Sequence, residues 1–296
     1  MKPQASILIA TRNQPETIQQ AIESALKQEG YRTEVLVLDD RSRAEVLELY
    51  KRFEKKIKIL NSGSKGRVKL LNYGIGKSRA DFVCVSAGDC ILEKGFLRKI
   101  LRLFGQDKNG KLAFVSPFSE TGGNCTVFRK KVLEEMQGFS NDFNDGKTGF
   151  RDDTDLAFRI WDKGYKSVFT YEPKFQHEHK SPEGLGKKLA YAWTRVKIHR
   201  FDALLFKKHS ERAAMFFDVK FGFLRNPLKD FETAAGLWWK GKTKKAFALS
   251  SPQGVTLIEG KTIVHQIAII MAAALYVALV KMVRLYSSLR FGKLLL

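Results

Sequence analysis

The sequence predicts an α/β fold: a mixed, mostly parallel sheet flanked by helices. Two observations carry that prediction. Short apolar runs recur at residues 6–11, 34–38, 57–60 and 82–85, and stretches with helical spacing separate them. Such alternation is the pattern of βαβ units, whose crossovers are right-handed by default.

Taken in order, Ser6-Ile-Leu-Ile-Ala-Thr11 is the first strand. Asn13 and Glu16 then resemble a capping box, and Ile18, Ala21, Ile22, Ala25 and Leu26 share one helical face. Glu34 to Leu38 is the second strand and ends in Asp39-Asp40. Ser42 and Glu45 form another capping pair, opening a helix to about Phe53. Ile57 to Leu60, a helix from Gly66 to about Lys77, and Phe82 to Val85 complete the regular part. Beyond Leu112–Val115 the regularity loosens; Glu120–Asn124 reads as a turn, and Cys125–Phe128 as a short strand leading into a helix. Residues 140–149, rich in Asn, Asp and Gly, read as a mobile loop. Asp152 to Lys163 regains helical spacing, with Gly164 as its stop.

Charge divides the chain. The formal net charge is +21; residues 185–296 hold 20 Lys and Arg against 6 Asp and Glu, while residues 1–184 hold 32 against 25. Basic regions meet phosphate, in nucleic acid or on an anionic membrane surface. The expected organisation is therefore a catalytic domain at 1–184, a basic, aromatic-rich helical extension at 185–260, and an apolar helix with a basic tail at 261–296. Cys84, Cys90 and Cys125 lack metal-type spacing and favour a reducing compartment. The first residues lack a signal-peptide pattern, so the catalytic part is expected in the cytoplasm.

Residues 267–280 are 14 uninterrupted apolar residues. About 20 are needed for a comfortable span, so the segment reads as a spanning, in-plane or core helix. Lys281 and Arg284 at its end are placed to snorkel to headgroups.

Carboxylates gather at three places: Asp39-Asp40, Asp89 and Asp152-Asp153-x-Asp155. In a parallel sheet the first two groups lie at the carboxyl ends of strands, where open α/β sheets bind ligands. Each alone also suits a turn or the first turn of a helix. With His177 and His179 downstream, the set suits a divalent cation such as Mn²⁺ or Mg²⁺.

The order of these motifs resembles the inverting family 2 glycosyltransferases, which have the GT-A fold. Ser6-Ile-Leu-Ile-Ala-Thr-Arg-Asn13 with Pro15-Glu16-Thr17-Ile18 is similar to the family's first strand and helix. Val37-Leu-Asp-Asp-Arg-Ser42 resembles its V-x-D-D-x-S turn. Gly66 to Ile75 is similar to G-x-x-x-A-x-N-x-G-I, and Asp152-Asp-Thr-Asp-Leu156 with Gly164-Tyr165 to E-D-x-D-L…G-Y. The likeness covers about residues 4–180. It implies that Thr11, Asp39 and Asp40 contact the nucleobase and ribose of a nucleotide-diphosphate sugar, and Arg67 its diphosphate region. Asp153 becomes the general base, with Gly123, Asn124 and Asp152 on the acceptor side. Asp89 keeps the second position of the family's D-x-D motif and touches metal and donor, with His177 assisting. Ala87 stands at the first Asp of that motif, a departure that bears on metal affinity and leaves room for a catalytically impaired relative.

The implied reaction passes a sugar to a glycan or lipid-linked acceptor at the cytoplasmic face of an anionic membrane. A nucleotidyltransferase is a weaker alternative, because residues 7–16 contain no glycine for a phosphate loop. A basic module for membrane or nucleic-acid phosphate is the non-enzymatic alternative. Nucleic acid is disfavoured, since three acidic clusters would repel its backbone.

Overall fold

Strand β1 (Ala5–Thr11) lies inside the sheet, flanked by a strand on each side, and all seven of its residues are buried. In the computed structural model, which describes residues 1–63, 65–146, 149–178, 183–226, 228–234, 248–250, 256–259 and 262–296, the chain divides into two compact units, 1–178 and 179–296.

The first unit is built on a seven-stranded sheet. Its other strands are β2 (Thr33–Asp39), β3 (Lys58–Leu60), β4 (Phe82–Ala87), β6 (Leu112–Ser116), β7 (Thr126–Arg129) and β8 (Lys166–Phe169), in the order β3-β2-β1-β4-β7-β6-β8. Pairing is parallel from β3 to β4 and between β6 and β8; β7 runs antiparallel to both neighbours. The mixed, mostly parallel α/β prediction therefore holds.

Alternation along the strands fills two cores. Ile7, Ile9, Val35 and Val37 pack with residues of α1 (Ile18–Leu26), α2 (Ala44–Lys51) and α4 (Phe96–Gln106). Leu8, Leu36 and Leu38 pack with α3 (Arg67–Lys77), α5 (Lys130–Glu135) and α6 (Asp152–Asp162). Burial on both faces explains why these strands read as continuous apolar runs. Each fully buried Ile or Leu contributes about 1.5–3 kcal/mol.

Both capping boxes are corrected. Neither α1 nor α2 has a side-chain cap; their N-cap residues are Thr17 and Arg43. Asn13 and Ser42 instead tie two loops together: Ser42 Oγ accepts from the Asn13 amide at 2.9 Å, and Asn13 Oδ1 accepts from the Arg43 amide at 2.9 Å. The same side chains that satisfy helix amides satisfy loop amides, and here the β1 and β2 exits face each other. In the 140–149 segment, Asn141–Phe143 forms one 3₁₀ turn with Phe143 buried; the remainder of that reading partly concerns residues outside those described.

The second unit contains helices α7 (Leu185–Ile198), α8 (Arg200–Lys208), α9 (Ser210–Phe217), α10 (Lys229–Ala234) and α11 (Ile263–Phe291). Trp238, Trp239 and the basic run around Lys244 lie outside the described residues. The apolar segment is longer than its uninterrupted run: α11 has 29 residues and continues through Lys281 and Arg284. It is the one helix among the described residues long and apolar enough to cross a membrane. Arg284 does not snorkel. It is buried and held by Asp202 at 2.9 Å and by Asp230, because partners on α8 and α10 meet it in the protein.

Candidate active site

Three strand exits and one helix start form the site. Thr11 ends β1 opposite Asp39, which ends β2, and the Asp40 amide donates to the Thr11 carbonyl at 3.0 Å. Asp39 is locked: Oδ2 accepts from the Ser42 amide and Oδ1 from the Tyr50 hydroxyl, both at 2.9 Å. Burial and the Asp39 charge push the Tyr50 hydroxyl well up, so it stays a donor.

Asp40 differs. Its Oδ2 accepts from the Gly66 amide at 3.4 Å and lies 3.8 Å from Arg12. Its Oδ1 is buried and has no hydrogen-bond partner among the described residues. An orphaned buried carboxylate oxygen costs a few kcal/mol, so a bound ligand's donor is its natural complement.

On the other side of Thr11, β4 ends at Ala87 and Gly88 crosses close to β1. A Cβ on Gly88 would meet Thr11 Oγ1 and Gln14 Oε1 at 2.6 Å, so only glycine brings the chain this near. Thr11 Oγ1 in turn donates to Gln14 Oε1 at 3.0 Å. Asp89 follows, then the short strand β5 (Cys90–Leu92), which pairs antiparallel with β9 (Phe175–His177). That pairing sets Cys90 opposite His177 and brings His177 Nε2 to 3.4 Å from Asp89 Oδ2.

The ligand atoms of Asp89, Cys90 and His177 lie within 4.8 Å of one another. A hydrogen bond with Cys125 and burial raise the Cys90 thiol, so it stays protonated and is a poor ligand. Carboxylate and imidazole remain, a donor pair that fits a borderline-hard cation such as Mn²⁺. His179 lies outside the described residues.

The third group starts α6. Asp152, Asp153 and Asp155 occupy its first turn, where the helix dipole favours carboxylates. Asp155 is structural: it pairs with Arg159, which also donates to the carbonyls of Met136 and Gly138. Asp152 is buried and bonded to Arg67 at 2.8 Å. Burial pushes its pKa up to about 6 against the opposing pull of Arg67, with Asp153 adding to the rise. Arg67 thus spans from the Asp40 loop to α6.

Asp153 Oδ1 accepts from the Thr154 amide at 2.7 Å and from its hydroxyl at 3.3 Å; Oδ2 has no hydrogen bond among the described residues. Gly122 and Gly123 both have positive φ, and Gly122 lies against Asp153 with no side chain between. A Cβ on Gly123 would strike the Phe118 ring at 2.4 Å, so that turn, with Asn124 after it, is confined to glycine.

The three carboxylate groups are therefore linked through neighbouring residues: Asp40 bonds Gly66, the adjacent Arg67 bonds Asp152, and Thr11 approaches Gly88, the residue before Asp89. Sequence reasoning missed the Arg67–Asp152 pair, Gln14 and Arg12 beside Asp40, and the β5–β9 pairing. The last had no usable signal, since three-residue strands are too short to show a period.

A sheet with a single reversed strand and carboxylates at its strand exits is the architecture expected of GT-A nucleotide-sugar transferases. The model for "Glycosyl transferase family 2" matches residues 6–154, half of the chain, and the protein belongs to that family. The curated protein EpsH of Bacillus subtilis (strain 168), named as a glycosyltransferase by assignment, is 23% identical over 124 residues, covering 40% of this chain and 36% of EpsH. The chain thus matches little more than a third of that relative's length. Among solved structures, the mannosyltransferase PcManGT from Pyrobaculum calidifontis, in complex with GDP-Man and Mn²⁺, is similar at a TM-score of 0.57 and 15% identity, over 99% of this chain and 77% of that one. TarS 1–349 of S. aureus, in complex with UDP-GlcNAc, is similar at 0.54 and 15%, over 98% and 92%. At these identities the likeness is one of fold.

Proposed function

We propose that the protein is an inverting glycosyltransferase that passes a sugar from a nucleotide-diphosphate sugar to a glycan or lipid-linked acceptor. The observation that carries this reading is the buried Asp40 Oδ1, which has no hydrogen-bond partner among the described residues, at the strand exit beside Thr11. It suits an N–H or O–H of a nucleobase or ribose, and solved relatives of this fold are described with GDP-Man and UDP-GlcNAc.

In the proposed mechanism Asp153 takes the acceptor hydroxyl proton on Oδ2 while Thr154 holds Oδ1. The acceptor oxygen forms its bond to the anomeric carbon as the bond to the diphosphate breaks on the opposite face, which inverts that carbon. A positioned carboxylate base contributes about 10²–10⁴-fold. Asp89 and His177 are the residues that would hold a divalent cation, Mn²⁺ or Mg²⁺, which when bound neutralises charge on the departing diphosphate. Arg67 stabilises Asp152 and with it the start of α6, so its role toward the diphosphate is exercised from an ion pair. The 185–296 region would bring the enzyme to the cytoplasmic face of an anionic membrane, near a lipid-linked acceptor.

Titrating nucleoside diphosphates into the wild type and Asp40→Asn tests the nucleotide assignment. Loss of a hydrogen bond to a charged group predicts an affinity drop of about 10–100-fold. Equal affinity of the two proteins for every nucleoside diphosphate would remove Asp40 from the site.

A further inference from the structure

The second unit solves a problem that α11 poses. The helix is 29 residues, about 43 Å long, enough to cross a hydrocarbon core of about 30 Å. Its surface is nevertheless of two kinds. One face is closed by protein: Ile269, Ala273, Val277, Val280, Arg284 and Ser288 are buried, a stripe of about 29 Å that matches the thickness of a bilayer core. The polar anchors on that face join helices with strongly basic surfaces. Tyr276 bonds His199 at 3.0 Å, His199 bonds Asp202 at 2.8 Å, and Arg284 bonds Asp202 and Asp230. A helix tied along its length to α7, α8 and α10 cannot enter hydrocarbon without them, and Lys187, Lys188, Lys207 and Lys208 stand exposed on those helices. Each such charge at mid-bilayer costs about 2.5–3.5 kcal/mol.

The opposite face is apolar and uncovered. Ile267, Met271, Leu275, Met282, Leu285 and Leu289 are 41–76% exposed and recur at helical spacing on one side. Within the same unit, Leu185, Leu189 and Trp193 repeat every four residues on α7 and are also exposed. Phe221 and Phe223 are exposed beside Lys220. Exposed apolar stripes on a unit this rich in Lys and Arg complement one partner, an anionic leaflet: hydrocarbon for the stripes and headgroup phosphate for the cations.

We propose that the unit is monotopic, with α11 lying in the plane of one anionic leaflet, its Met271–Leu289 stripe sunk into the acyl boundary and its Arg284 face turned to protein. This deepens the membrane reading given above and rests on it, because it fixes the mode of attachment and excludes a span.

Full-length protein carrying an environment-sensitive fluorophore at Ile267→Cys, Leu275→Cys or Leu285→Cys tests the proposal on phosphatidylcholine vesicles containing phosphatidylglycerol. The native cysteines are buried and stay unlabelled. Depth-dependent lipid quenchers should place all three probes at one shallow depth. A profile with Leu275 deepest, at the bilayer centre, would establish a span and overturn the proposal. A second variant, Met271→Lys with Leu285→Lys, alters only the exposed face and should lower vesicle binding at least tenfold while leaving nucleoside-diphosphate binding unchanged. Unchanged vesicle binding, or lipid-free dimers that shield the probes, would also overturn it. The nucleoside-diphosphate measurement on the same samples reports separately on the transferase reading.

Discussion

Both units bury carboxylates, yet they use them in opposite ways. In the second unit Asp202 is fully buried, and His199 and Arg284 close around it while Tyr276 closes His199. A His–Asp–Tyr cluster of that kind resembles catalytic machinery, but each member is matched to a neighbour inside the fold. In the first unit Asp40 and Asp153 each keep one oxygen without a hydrogen bond among the described residues, and both stand where a strand exits or a helix begins. The difference teaches that a site is marked by what its polar groups lack, and a scaffold by what they have already found.

That contrast can be broken most strongly at Arg284. Replacing it with Ala takes the guanidinium from the fully buried Asp202 and from the partly exposed Asp230, which keeps Lys281 at 4.0 Å; the expected loss is about 3–5 kcal/mol. Hydrogen exchange should quicken in α8 and α11 while α1 and α3 stay protected; uniform protection would show that the cluster is not a scaffold.

Asp152 lies between the two categories, being buried and paired but adjacent to Asp153. Its raised pKa means that folding favours its protonated form. The contribution is therefore fully present below an unfolded value near pH 4 and is lost as pH rises toward about 6. Relative to Asp152→Asn, the wild type should lose up to about 3 kcal/mol of stability over that window. Denaturation at several pH values checks it, and a wild type that gains on the variant with rising pH would mean that the Arg67 ion pair outweighs burial.

Asp89→Asn should weaken Mn²⁺ binding about 10–100-fold, as should His177→Ala if both are ligands, whereas Ala87→Asp should strengthen it by restoring a carboxylate. Calorimetric titration in the presence of a nucleoside diphosphate reads all three. The smallest effect belongs to the loop tie: Asn13→Ala removes the hydrogen bond to the Arg43 amide, worth about 1 kcal/mol, and should lower the melting temperature without changing metal affinity.

The first unit was legible because two-sided burial writes apolar strands into the sequence and because Asp39, Asp40, Asp89 and Asp153 follow strands or open a helix. The hydrogen-bond choices were not. Asn13 and Ser42 suit caps and loops equally, and only the facing exits of β1 and β2 decide between them. His177 reaches Asp89 through strands of three residues, below the length at which a period exists. In the second unit, Arg284 reads as the end of an apolar run because its partners, Asp202 and Asp230, lie 82 and 54 residues away.

Asp153 carries the central claim, and turnover and donor binding measured on one preparation of Asp153→Asn test it most directly. Release of nucleoside diphosphate from a nucleotide sugar, with Mn²⁺ and acceptor present, should fall about 10²–10⁴-fold, while donor affinity and melting temperature stay at wild-type values. Turnover equal to the wild type would contradict the assignment of Asp153 as the base.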